Sequence, residues 1–405
     1  MKKSNDEELD VNAEVNDVDS GEQVKMEKKS KILDKIIKES KKEPEEEDKK
    51  GKNLKNLIKT KKTFSLADYK KAKDFGNTKF KAQEWLELPP AFQETTGVIG
   101  CPIGHITLLR GHSNSSKTTA LILTAISAQK KNVLPVFIIT EMKWSWEHAK
   151  TMGFQFDEVK NKNGEIEGYD GFFIYVDRSK LNSIEDVAAF INELLEEQKK
   201  GQLPYDLLFL WDSIGSIPCQ MSLDKGKNNN EWNAGAMSVQ FGNFINQKIV
   251  LSRKEEYPYT NTLICTNKVW VRKPNNPMGQ PVMENKGGNT MYLDATFVVT
   301  FGNIATSGIN QIKAKKNNKE VSFGSRAKVQ IEKNHINGIS TSGKIIITPT
   351  GYINDDPKEI DKYKKEHLDY FMTLLGDSSG DGDFETIIEE TEEEQSAYAI
   401  EPDSI

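Results

Sequence analysis

The sequence predicts an α/β protein with a mostly parallel sheet and helices on both faces. Short apolar runs typical of buried strands lie at 105–109, 134–140, 207–211 and 262–266. Helical stretches such as 119–128 and 184–198 lie between these runs, which is the order expected of strands joined by crossover helices. Two later runs, 327–331 and 344–348, predict additional strands.

Composition divides the 405-residue chain into five parts. Residues 1–60 are rich in Lys and Glu and predict a disordered segment, because they hold too few large apolar groups to offset chain entropy. Residues 61–95 are predicted to be a helical lead-in and a candidate contact between protomers. The α/β core is predicted at 96–350 and a short C-terminal helix at 351–376. Residues 377–405 hold eleven Asp and Glu and no Lys or Arg, which predicts an acidic disordered tail.

Charge and cysteine content exclude several classes of protein. The formal net charge of −6 argues against a surface coated with positive charge, so any DNA binding must come from local basic loops. Cys101, Cys219 and Cys265 form no C-x-x-C pair, so neither a zinc site nor a disulfide framework is indicated. No signal peptide or membrane-spanning run is found, and we expect a cytoplasmic protein without a membrane partner.

A candidate phosphate-binding loop lies between a predicted strand and a predicted helix. Its residues and the start of the helix are Gly111, His112, Ser113, Asn114, Ser115, Ser116, Lys117, Thr118 and Thr119. The pattern is that of a P-loop, except that Ser116 stands where the second Gly is usual. Backbone N–H groups would hold the phosphates of ATP, Lys117 would reach the β- and γ-phosphates, and Thr118 would bind Mg²⁺. The alternative is a polar turn that caps a helix.

Two carboxylates follow predicted strands. Asp212 ends the apolar run 207–211 and is predicted to hold Mg²⁺, although an Asp at this place can also simply cap a turn. Glu141 follows the run 134–140 and is the candidate for polarising an attacking water; the alternative is an exposed loop Glu. Ligands of such sheets bind at the carboxyl ends of the strands, where both residues are expected.

Taken in order, these segments resemble the RecA-type strand-exchange recombinases, and most closely the divergent phage-encoded ones. The resemblance covers roughly 97–351 and is carried by the segments 100–111, 136–141, 206–216, 261–268, 287–289 and 333–335. It implies a RecA-like P-loop ATPase core and a DNA-dependent ATPase that uses ATP and Mg²⁺. It also implies a homo-oligomeric helical filament on single-stranded DNA that promotes homologous pairing and strand exchange with double-stranded DNA.

The resemblance also assigns roles to individual residues. Lys333 and His335 match the segment that reaches the nucleotide of the neighbouring subunit, and His148 matches the position that packs on adenine; a surface aromatic without a ligand is the alternative for His148. Two segments, 222–232 and 269–286, match the DNA-facing loops of the family. Their candidate DNA-binding residues are Lys225, Lys227, Trp270, Arg272, Lys273 and Lys286. Two solvated surface loops are the alternative.

Three positions depart from the family pattern: Ser116, Lys268, where the γ-phosphate-sensing Gln is usual, and His335, where a second lysine is usual. Two other functions therefore stay open. One is a DNA helicase of RecA fold, for which an arginine finger and a ring would be expected. The other is a DNA-binding mediator that has lost turnover. Single-strand-binding and loader proteins are further partners that the resemblance implies.

Overall fold

The computed structural model describes residues 79–112, 115–272, 282–302, 309–316, 318–376 and 384–388. These residues belong to one compact unit. The strands, in chain order, are β1 (Trp85–Glu87), β2 (Gly100–Pro102), β3 (Ile106–Gly111), β4 (Leu134–Ile139), β5 (Asp157–Lys160), β6 (Ile166–Asp170), β7 (Ile174–Asp177), β8 (Leu207–Asp212), β9 (Thr262–Arg272), β10 (Val282–Asn285), β11 (Phe297–Phe301), β12 (Ile309–Lys316), β13 (Lys319–Asn334), β14 (Ser342–Thr348), β15 (Gly351–Asn354) and β16 (Glu385–Ile388).

Helices lie mostly between the strands of the first half and at the C-terminal end of the described chain. They are α1 (Pro90–Thr96), α2 (Lys117–Lys130), α3 (Trp146–Thr151), α4 (Ile184–Lys199), α5 (Gln220–Asp224), α6 (Asn230–Met237), α7 (Asn246–Leu251), α8 (Thr290–Asp294), α9 (Pro357–Glu366) and α10 (Leu368–Leu375). A π-helical segment, Ser238–Ile245, joins α6 to α7, and a 3₁₀ turn, Ile214–Ser216, follows β8. No helix in the described ranges is long and apolar enough to cross a membrane.

The described strands form a mixed sheet of 12 strands whose centre is parallel. The central order is β11-β3-β9-β8-β4-β7, and each neighbouring pair in it is parallel. The four predicted strands of the core, β3, β4, β8 and β9, are thus confirmed and are adjacent. Their ends lie at one edge of the sheet, where the candidate loop and both carboxylates follow.

The rest of the sheet is antiparallel, which the sequence did not predict. β13 pairs with β11, β14 and β12, β15 pairs with β14, and β10 pairs with β9, all in antiparallel register. The described connections from β13 to β14 and from β14 to β15 are short and contain no helix, which antiparallel pairs allow. The prediction of a mostly parallel sheet is therefore confirmed for a mixed sheet, with antiparallel strands outside its parallel centre.

Helices cover both faces of the sheet, as predicted. Alternate residues of β8 point to opposite sides: Leu208 and Leu210 pack in the core that α2 covers, and Leu207 and Phe209 pack in the core that α4 covers. A capping box begins α4, in which Ser183 and the third residue of the helix each bind the other's backbone N–H. The prediction of a helix over 184–198 is confirmed.

The lead-in predicted as helical over 61–95 contains a strand. Residues 61–78 lie outside the described residues, and Trp85–Glu87 forms β1, paired antiparallel with β2. The chain can become helical only at Pro90, the first residue of α1, because two successive prolines remove the N–H groups that an earlier helix would need. Beyond β4, the small antiparallel sheet of β5 and β6 is a further addition that the sequence did not predict.

Two corrections concern the C-terminal parts. The segment 351–376 begins with β15 and continues as two helices, α9 and α10, rather than one. In the acidic tail, which was predicted to be disordered over 377–405, residues 385–388 form β16 on the edge of β12, and Phe384 before it is buried. Phe384, Ile387 and Ile388, which lie among the carboxylates of the tail, supply the apolar surface for this strand. The other tail residues, and residues 1–60, lie outside the described residues.

Candidate active site

A cavity of about 310 Å³ lies at the carboxyl ends of the central parallel strands. Its walls bring together three of the elements that the sequence singled out: the start of α2, the residue after β4 and the last residue of β8. The lining residues are Ser115, Ser116, Lys117, Thr118, Thr119, Glu141, Lys143, Asp212, Lys268, Ser325 and Ile347. A volume of this size is typical of small-molecule sites.

Backbone conformation explains two residues of the loop. Gly111 has φ +154°, and a Cβ there would lie 2.2 Å from the carbonyl oxygen of Phe301, so no side chain fits. Ser116 has φ +75°, in the left-handed region where the P-loop pattern has glycine. The hydroxyl of Ser116 donates to the hydroxyl of Tyr352 at 3.1 Å, and Tyr352 donates to the carbonyl of Ser116 at 3.3 Å. Tyr352 of strand β15 thus holds the strained residue in place.

Lys117 is buried at the first position of α2 and points back over the loop. Its ammonium donates to the carbonyl oxygens of Gly111 at 3.1 Å and His112 at 2.6 Å, and to the hydroxyl of Ser115 at 3.2 Å. Burial lowers the pKa of Lys117 to about 8, and the charges of Asp212 and Glu141 oppose this shift. The ammonium is therefore held at the floor of a cradle of backbone groups, next to the start of a helix.

Thr118 and Asp212 meet directly. The Thr118 hydroxyl donates to one carboxylate oxygen of Asp212 at 2.7 Å, and Thr266 on β9 donates to the other at 2.5 Å. A hydroxyl and a carboxylate are hard oxygen ligands that suit Mg²⁺, which keeps several waters and takes the rest of its ligands from a bound phosphate. No group of three or more His, Cys, Asp or Glu side chains that could hold a metal occurs among the described residues. The site fits Mg²⁺ bound together with a phosphate ligand.

Glu141 lies opposite, after the end of β4, and is held by three donors. Lys268 contacts one carboxylate oxygen at 2.5 Å and Lys143 contacts the same oxygen at 3.1 Å, while the hydroxyl of Ser213 donates to the other at 3.1 Å. Burial raises the pKa of Glu141, but the hydrogen bonds and charges of the two lysines outweigh it, so the pKa lies below its usual value. Glu141 is ionised and positioned across the cavity from Lys117.

Other predicted residues lie outside this cavity. His148 is half-buried in α3, and burial lowers its pKa, but it does not line the cavity, so its contact with adenine stays a prediction.

Lys333 donates to the carbonyl oxygens of Tyr292 and Leu293 at 3.2 and 2.7 Å, at the end of α8, and burial lowers its pKa. His335 is exposed. Ser113 and Asn114 lie outside the described residues.

The two candidate DNA loops differ in how much of them the structure describes. Lys225 and Lys227 are exposed after α5. Lys286 is half-buried, and its carbon chain fills the space beside Gly215, where a Cβ would lie 2.6 Å from it. The backbone at Trp270 and Arg272 belongs to β9, and Lys273 lies outside the described residues.

Four residues of the site carried no signal in the sequence. Ser325 and Ile347 come from β13 and β14, Tyr352 from β15, and Lys143 from the turn after β4. The first three belong to antiparallel strands more than 200 residues beyond the loop, and no motif connects them to it. Only the pairing of β13 with β11, and of β11 with β3, brings them near.

No protein-family model matches the sequence, and no curated protein is detectably similar to it.

Proposed function

We propose that this protein is an ATP-dependent DNA recombinase that assembles on single-stranded DNA and promotes homologous pairing and strand exchange. One observation carries the enzymatic part of the proposal. A P-loop-like turn, a hydroxyl–carboxylate pair suited to Mg²⁺ and a separate, ionised glutamate line one cavity at the carboxyl edge of a parallel sheet. This is the set of groups that phosphoryl transfer from ATP to water requires.

Each group has a chemical task in this proposal. Backbone N–H groups of the loop and the ammonium of Lys117 would bind and orient the phosphates. Thr118 and Asp212 would hold Mg²⁺, which would supply charge neutralisation on the phosphate oxygens. Glu141 orients a water molecule for in-line attack on the γ-phosphorus. The new bond is P–O(water), the bond to the β,γ-bridging oxygen breaks, and Glu141 accepts the water proton.

The recombinase part of the proposal rests on residues outside the cavity. Lys333 and His335 do not line the cavity of their own chain, which agrees with a role at the nucleotide of a neighbouring subunit. Exposed Lys225 and Lys227 would supply basic groups for DNA phosphates. A catalytic site shared between subunits would make hydrolysis depend on assembly.

Electron microscopy of the protein with ATP, Mg²⁺ and single-stranded DNA tests this assembly. The recombinase proposal expects a helical filament. A closed ring would favour the helicase of RecA fold, and absence of any assembly under conditions where ATP binds would contradict both.

One observation favours a second candidate, the DNA-binding mediator without turnover. The carboxylate of Glu141 is engaged by two lysines, so it is not free to activate water in the described state. ATP and DNA binding without measurable phosphate release, in the presence of single-stranded DNA, would support the mediator and exclude the ATPase.

A further inference from the structure

The last described strand, β16, is a short edge strand that comes from the acidic tail. Among the described strands it pairs only with β12, in antiparallel register, and places Glu385 opposite Lys315. The edge of a sheet can accept an extended segment of another chain as readily as one of its own, because backbone N–H and C=O groups make most of the contacts. The β12 edge is therefore a docking surface that this chain fills with its own tail.

An aromatic pocket beside this edge holds Phe384, which is 3% exposed. Its ring packs against Phe371 with centroids 5.8 Å apart, and the ammonium of Lys316 lies 5.4 Å from its centroid. The buried ammonium of Lys364 donates to the carbonyl of Phe384 at 2.7 Å and to the hydroxyl of Thr386 at 2.8 Å. The pocket and the β12 edge together form a tail groove, which binds the backbone, one aromatic ring and one hydroxyl of the tail strand.

The connection that leads to the tail strand is longer than its own groove requires. Residues 377–383 consist of three Asp, two Ser and two Gly, so they contain no apolar side chain to bury. At one end, a Cβ at Gly376 would lie 2.8 Å from the ammonium of Lys319. At the other end, Phe384 lies beside Lys316, which is opposite Lys319 in the register of β12 and β13. The eight residue steps between these ends span up to about 26 Å when extended, which is enough to reach the groove of a neighbouring copy.

We propose that the tail groove is a contact between copies of this chain, in which the tail strand of one copy fills the groove of another. A second copy is the occupant that the energetics favour. An unrelated peptide would have to displace a tethered tail, whose effective concentration through a short linker is in the millimolar range. Exchange between copies replaces each tail contact with an identical one, so its cost is limited to the tether, as in domain swapping. The exchange needs neither nucleotide nor DNA and goes beyond the proposed recombinase function.

Disulfide trapping between two differently substituted chains tests the exchange. Lys315 and Glu385 are opposite each other and are not buried, so cysteines at these positions suit a cross-strand disulfide. Full chains that carry Lys315→Cys and Glu385→Cys are mixed at high concentration, without nucleotide or DNA, and oxidised. Exchange predicts a disulfide-linked dimer on a non-reducing gel, which accumulates with time because each exchanged pair is trapped. The native cysteines are buried and do not compete: Cys101, Cys219 and Cys265.

Three controls separate the exchange from chance collisions. The doubly substituted chain, with Lys315→Cys and Glu385→Cys together, should form its disulfide within one chain, which shows that the two positions are in reach. Each single variant oxidised alone, and Glu385→Cys mixed with Lys199→Cys, whose lysine is exposed on α4, should give only background dimer. Adding Phe384→Ala to the Glu385→Cys chain should reduce the specific dimer by about tenfold or more, because the ring no longer fills the pocket of the other copy.

Each contrary outcome has a definite meaning. A mixed dimer no more abundant than the background, with the disulfide of the doubly substituted chain formed, would overturn the exchange. A dimer that Phe384→Ala leaves unchanged would also overturn it, because the link would then form outside the pocket. Since Phe384→Ala is carried by the chain that donates the tail, the groove of the accepting chain is intact in that comparison. Failure of the doubly substituted chain to form its disulfide would contradict the register of β12 and β16, and the exchange with it.

Discussion

The replacement of a P-loop glycine by Ser116 yields a quantitative prediction. A non-glycine residue in the left-handed region costs about 1 kcal/mol relative to glycine. The hydrogen bond between the hydroxyls of Ser116 and Tyr352 offsets this by a similar amount, about 1 kcal/mol. Ser116→Gly should therefore change the free energy of unfolding by less than about 0.5 kcal/mol, because it removes the strain and the hydrogen bond together.

A double-mutant cycle measures the two contributions separately. Tyr352→Phe alone should destabilise the protein by about 1 kcal/mol, because it removes the acceptor of the Ser116 hydroxyl and the donor to the Ser116 carbonyl. In the Tyr352→Phe background, Ser116→Gly should now stabilise by about 1 kcal/mol. Urea denaturation of the four proteins gives these values from the transition midpoints.

A matched control is available at Asn132, which has φ +57° after α2. Asn132→Gly should change the free energy of unfolding by the same amount whether position 352 holds Tyr or Phe. If Ser116→Gly likewise stabilised both backgrounds equally, Tyr352 would not compensate the strain at Ser116, and the reasoning would be refuted.

Three further predictions concern the tail and a buried histidine. A chain that ends at Gly376 should be less stable by at least about 2 kcal/mol than one that ends at Ile388, because Phe384 packs against Phe371 with ring centroids 5.8 Å apart; equal unfolding midpoints would contradict this. The chain ending at Ile388 should also bind single-stranded DNA more tightly than the full chain at low salt, because the acidic residues beyond the strand compete with DNA phosphates; superimposable salt series would refute it. Burial and the charge of Arg253 lower the pKa of His105 from 6.5 to about 4, so the folded state favours neutral His105 and loses stability as the pH falls through this range. Between pH 7 and pH 4.5, the free energy of unfolding of His105→Gln should fall by about 2 kcal/mol less than that of the parent, as measured by urea denaturation. Equal losses for the two proteins would contradict the lowered pKa of His105.

The sequence predicted the parts of the site that are local in the chain. Strand, turn and helix signals identify the run from β3 through the loop to α2. They also identify the two carboxylates, one after β4 and one at the end of β8. A parallel sheet was expected to place these strands side by side, and the structure confirms that β3, β9, β8 and β4 are adjacent. Lys117, Thr118, Glu141 and Asp212 thus lie together at the strand ends, as the sequence predicted, while their roles stay predictions.

What the sequence did not predict depends on pairing between distant segments. Ile347 and Tyr352 reach the site through antiparallel strands, whose register depends on tertiary packing and not on a local signal. Phe384 was hidden among carboxylates, and its burial depends on a core formed by β12, β13 and the two C-terminal helices. Lys268 was noted as a departure from a family pattern, but its partner, Glu141, could be identified only from the structure.

The central claim is that the cavity binds ATP and that Glu141 activates the water that hydrolyses it. The most direct test measures ATP binding and phosphate release for the parent, Glu141→Gln and Lys117→Ala, with Mg²⁺ and single-stranded DNA. The account predicts that Lys117→Ala loses ATP binding, and that Glu141→Gln keeps ATP and DNA binding but loses turnover by a factor of about 10² or more. Equal rates of phosphate release for Glu141→Gln and the parent would contradict it.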